Sequence, residues 1–113
     1  MTRTGARFDY RAIQKSGELG QIVSIVAQLI EVSRPLQAVL WSVRRKAWIY
    51  GPGLAVRFLY DEQYWDRTRT IDRPEAEQIA RDVLQTELPS KERLMELCQE
   101  GERMGWTYGP PRQ

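Results

Sequence analysis

The chain has 113 residues, 42% apolar and 28% charged, with a net charge of +2. That length suffices for one domain with a real core, and the composition excludes both the signature of disorder and the strong positive field of a dedicated polyanion binder. Histidine is absent and Cys98 is the single cysteine, which removes intrachain disulfides, the commonest general base and the commonest zinc ligand together.

The longest apolar stretch, Gln21 to Val32, is interrupted by Ser24, Gln28 and Glu31, so no membrane span is expected. The first ten residues carry Arg3 and Arg7 but then Phe8-Asp9-Tyr10 where a secretory signal would have an apolar core. A cytoplasmic protein without cofactor or metal is the expectation.

Ala6 to Ala12 alternates loosely, with Phe8, Tyr10 and Ala12 on one side, and predicts an edge strand. From Glu18 to Arg34 the polar residues Gln21, Ser24, Gln28 and Glu31 recur at helical spacing, which predicts a largely buried helix ended by Pro35. Leu36 to Val43 reads as a strand, Arg44-Arg45-Lys46 as a basic turn, and Ala47 to Tyr50 as a short aromatic strand. Gly51-Pro52-Gly53 reads as a turn. Leu54, Val56, Phe58 and Tyr60 alternate with Ala55, Arg57 and Leu59, predicting a strand that turns at Asp61-Glu62-Gln63 into a partner strand, Tyr64 to Ile71.

Asp72 and Glu75 have capping-box spacing with Pro74 in the first turn, so a helix is expected there, with Ala76, Ile79, Ala80, Val83 and Leu84 as its apolar stripe. Ser90 is placed to cap a second helix, Lys91 to Met104, whose inward face carries Leu94, Leu97, Cys98 and Gly101. Gly105 suits a left-handed helix end, and residues 105–113 read as an extended tail. The expected fold is a single α+β domain, 1–113. It is an antiparallel meander of three to five strands, with one amino-terminal and two carboxy-terminal helices packed on one face.

Two clusters suggest function. In a hairpin with a three-residue loop at 61–63, Tyr60 would oppose Tyr64 and Arg57 would oppose Arg67, so that Arg57, Trp65, Arg67 and Arg69 share one face. Such a face suits an acidic partner or a phosphate backbone; the plainer reading is a solvated face with Arg57 paired to Asp61 or Asp66. Second, Arg44-Arg45-Lys46 lies between Trp41 and Trp48, an interleaving that single-stranded nucleic-acid sites use, although three charges at a turn are usually just solvated.

Trp48-Ile49-Tyr50-Gly51-Pro52 echoes in Trp106-Thr107-Tyr108-Gly109-Pro110. Coincidence is the simplest reading; the alternatives are a tail lying near the sheet or an exposed tail that enters a partner's groove. Cys98 falls on an apolar stripe, where a buried thiol is inert. Nothing in the sequence forms a Gly-rich phosphate loop, a cysteine pair or a nucleophile elbow. The function expected is therefore a non-enzymatic protein-binding module, a neutralising (immunity-type), adaptor or regulatory subunit, whose partner is another protein with an acidic surface. The alternatives are a nucleic-acid-binding domain and a small enzyme without histidine or metal; a homo-oligomer is compatible with each.

Overall fold

The described part of this computed structural model comprises residues 7–14, 21–30, 36–60 and 67–110. Within it the fold is α+β, with one five-stranded antiparallel sheet and three helices. The strands are β1 Arg7–Gln14, β2 Ile22–Ile30, β3 Gln37–Ser42, β4 Ala47–Tyr50 and β5 Thr68–Ile71; the helices are α1 Pro52–Tyr60, α2 Arg73–Asp82 and α3 Lys91–Met104. The spatial order β4-β3-β2-β1-β5 is a four-strand meander with β5 added beside β1.

Register divides the core into two. Tyr10 lies opposite Ala27 and Ile71, Ala12 opposite Ile25, Ala27 opposite Val39, and Val39 opposite Tyr50, so these side chains share one face. Ile13, Val26, Ala38, Leu40 and Ile49 belong to the other face and to a separate cluster. On the first face α2 packs over β1 and α3 over β3 and β4; on the second, α1 covers β3 with Ala55, Leu54, Phe58 and Leu59. Because Ile25 and Val26 are both fully buried while pointing opposite ways, β2 anchors both clusters, each side chain contributing roughly 1.5–3 kcal/mol.

The helix caps follow from local chemistry. Asp72 Oδ1 accepts from the Glu75 N–H at 2.9 Å, and Ser90 Oγ accepts from the Arg93 N–H at 3.1 Å, each satisfying a donor that the first turn leaves free. Gly105, at φ 72°, ends α3 in the left-handed conformation, and the Trp106 N–H returns to the Gly101 carbonyl at 3.0 Å. The chain then folds back on the β4–α1 corner. The Gly53 N–H donates to the Thr107 carbonyl at 2.9 Å, the Arg57 guanidinium lies 5.9 Å from the Tyr108 ring centre, and a side chain at Gly109 would meet Ile49 Cδ1 at 2.8 Å. The tail is thus docked as far as Pro110, and the two echoing Trp-x-Tyr-Gly-Pro segments are spatial neighbours; residues 111–113 lie outside the described residues.

Several expectations need correction. The helix expected over 18–34 is strand β2 where described. A central strand buried on both faces reads as a continuous apolar run, and chance polar spacing then imitates a helix. The first strand is not an edge strand, because β5 pairs on its outer side. Leu54 to Tyr60 is not a strand but most of α1. Leu54, Ala55, Phe58 and Leu59 form its i, i+1, i+4, i+5 inward stripe, while Val56 and Arg57 face solvent. The Gly51-Pro52-Gly53 turn is the helix entry: the Gly51 carbonyl accepts from the Ala55 N–H at 3.0 Å. Of the partner strand expected from Tyr64 to Ile71, β5 covers Thr68–Ile71, Arg67 is not part of it and 61–66 lie outside the described residues; the three helices cover both faces rather than one.

Candidate functional site

Two chain reversals meet at one end of the sheet. In the β3–β4 turn the Lys46 N–H donates to the Ser42 carbonyl at 2.7 Å and the Arg45 N–H to Ser42 Oγ at 3.2 Å. Closing that turn puts Lys46 at φ 53°. Where α2 ends, the Val83 and Leu84 N–H groups both donate to the Ile79 carbonyl at 2.8 and 3.1 Å, and the Thr86 N–H donates to the Ala80 carbonyl at 2.9 Å. This ending puts Gln85 at φ 56°. Between the two reversals lie Ile22 and Val23 at the start of β2 and Trp41 on β3. Together with Val43, Lys46, Val83, Leu84, Gln85 and Thr86 they line an open groove of about 540 Å³.

Lys46 and Gln85 are the non-glycine residues with positive φ among the described residues, and both line this groove. Glycine normally fills such positions, because a β-carbon there costs roughly 1–2 kcal/mol. Here a residue with a long polar side chain occupies each of the two reversals. Ile22, Val23, Trp41, Val43, Val83 and Leu84 supply its apolar surface, and Val43 and Val83 remain 60% and 49% exposed. The polar side-chain groups of the lining residues are the Lys46 ammonium, the Gln85 amide, the Thr86 hydroxyl and the Trp41 indole N–H, with no carboxylate among them. Such a set can orient and hold a ligand; it offers no pair of groups for proton transfer.

The structure splits both clusters read from the sequence. No hairpin joins Val56 to Thr70, since the first half is helical. Arg57 stands exposed on α1, on the second face of the sheet. Arg69, opposite Ala12, points to the first face and binds Glu75 at 2.7 Å. Arg67 immediately precedes β5 and is half-buried, and Trp65 lies outside the described residues. Arg57 and Arg69 therefore do not share a sheet face. Of the second cluster, Trp41 and Lys46 line the groove together, while Arg44 projects into solvent from the same turn. Arg45 turns away toward Gly109. Trp48 stacks tilted against Trp41, 5.5 Å between ring centres, but packs into the first core cluster, where its indole N–H is buried with no partner.

Sequence reading missed Ile22, Val23, Val43 and the 83–86 turn. Val83 and Leu84 pass for the end of a helical stripe, and the one available signal was a helix end without a glycine before Pro89.

Arg73 braces α2 against β1, donating to the Tyr10 hydroxyl at 2.9 Å and to Glu77 at 3.1 Å. Burial opposes its positive charge, but the hydrogen bonds and charges of Tyr10 and Glu77 outweigh that cost and raise its pKa above the ordinary arginine value. A smaller depression of about 270 Å³ is lined by Glu77, Arg81, Glu87 and Leu88, a mixed-charge surface with little apolar floor. No helix among the described residues is long and apolar enough to cross a membrane.

The chain matches no protein-family model, no curated protein and no solved structure, so any functional argument rests on the groove and its chemistry.

Proposed function

We propose that this protein is a non-enzymatic protein-binding module, an adaptor or regulatory subunit of the cytoplasm, and that its partner docks in the groove between the β3–β4 turn and the end of α2. One observation carries the reading: the two strained, left-handed residues Lys46 and Gln85 both line the same apolar groove. Strain of this kind persists where surrounding structure enforces it and clusters at ligand sites. Exposed Val43 and Val83 add apolar surface of the sort that a partner buries.

Affinity capture from the source cells, comparing the wild type with V43D/V83D, tests it. Both valines are exposed, so the double variant should keep its thermal stability within roughly 1 kcal/mol while losing its partner. R57E and R69E, on opposite faces of the sheet, should retain the partner. Retention by V43D/V83D together with loss in R69E would move the site to the β5 edge and overturn the assignment.

A second reading has one observation in its favour: Trp41 and Lys46 share the groove, with Arg44 beside them, as a base-stacking site would need. Phosphate-dominated binding would weaken steeply as salt rises, whereas docking in an apolar groove would not.

A further inference from the structure

Resting on the groove as the partner site, we propose that it recognises an acidic-aromatic segment of a partner protein, in which a bulky apolar side chain stands beside a carboxylate. The lining sorts into an apolar floor and a single charge. Trp41, Val43, Val83 and Leu84 offer a hydrophobic seat, and Lys46 is the one charged lining residue. Arg44 adds a second exposed cation on the same turn. Arg7, Arg69, Arg73 and Arg93 are neutralised locally by Asp9, Glu75, Glu77 and Glu96, whereas Lys46 takes part in none of these ion pairs.

Charge complementarity thus calls for an anion next to the apolar seat. Lys46 lines the groove from a backbone position that the turn already fixes, so less backbone ordering is left for the binding step. The groove is open to solvent rather than enclosed. A small ligand would leave much of its own surface wet there, whereas a protein segment can bury one side chain and run on in both directions.

Calorimetric titration of the full chain with three synthetic peptides tests the proposal. One alternates Glu with Phe or Trp, the second replaces each Glu with Lys, and the third replaces each aromatic with Ala. The wild type should bind the first at least about tenfold more tightly than either of the others. Lys46→Glu should reverse the preference between the first two peptides, and Lys46→Gln, a milder change, should abolish it. Circular dichroism and melting temperature establish that both variants are folded.

Equal affinity for the Glu and Lys peptides overturns the proposal, as does tighter binding of a single-stranded oligonucleotide than of any peptide. If no peptide binds while V43D/V83D still loses the captured partner, the acidic-aromatic assignment fails and the groove remains the docking site. If groove variants affect neither peptides nor partner, both fail.

Discussion

Gly101 of α3 lies flat against the ring of Tyr50 on β4, so close that any β-carbon at position 101 would overlap the ring atoms. This contact lets the last helix pack directly on the edge strand and brings the Trp106–Pro110 tail over the β4–α1 corner. Helix propensity alone would make Gly101→Ala stabilising by about 1 kcal/mol. Overlap with a buried aromatic ring should reverse that sign and cost about 1–3 kcal/mol net. Urea denaturation of G101A, with Y50L/G101A recovering part of the loss, checks the relationship.

Lys46 and Gln85 should behave in the opposite way. Replacing either by glycine removes a left-handed β-carbon, so Lys46→Gly and Gln85→Gly should each leave stability unchanged or raise it by up to about 1 kcal/mol. Partner affinity should fall in both. A gain in stability coupled to a loss of binding is the expected mark of residues kept for contact rather than for folding. Loss of stability in both variants would show that their side chains hold the two turns together.

On β2, Ile25 and Val26 point to opposite faces and neither is exposed. Ile25→Ala should cost about 2–4 kcal/mol. Val26→Ala should cost about 1–3 kcal/mol. Aspartate at either position should abolish the cooperative thermal transition; tolerance of Val26→Asp alone would mean that α1 does not cover the second face.

Asp72 accepts the Glu75 amide hydrogen bond at the start of α2, so Asp72→Ala should lower stability by about 1 kcal/mol. Asp72→Asn, which keeps an accepting oxygen, should recover most of it. Equal melting temperatures for wild type and D72A would remove the cap from the account.

What could be read from the sequence divides along physical lines. The caps of α2 and α3, the left-handed Gly105 and the β3–β4 turn depend on residues within three or four positions of one another, and local chemistry placed them correctly. The identities of β2 and α1 depend on tertiary context. In β2 the β-branched residues Ile22, Val23, Ile25, Val26 and Ile30 favour a strand, yet burial on both faces erased the alternation that would have revealed it. In α1 exposed Val56 supplied a false alternation, and only docking on β3 decides that Ala55, Phe58 and Leu59 form the working face. The groove was half legible: Trp41 and Lys46 are five positions apart at one turn, but the 83–86 wall arrives from the far end of another element.

Hydrogen exchange on the complex with the captured partner tests the central claim most directly. Binding should slow exchange in 41–46 and 83–86 and leave 54–59 and 67–71 unchanged. Protection confined to 67–71, with both turns of the groove exchanging as in the free protein, would contradict it.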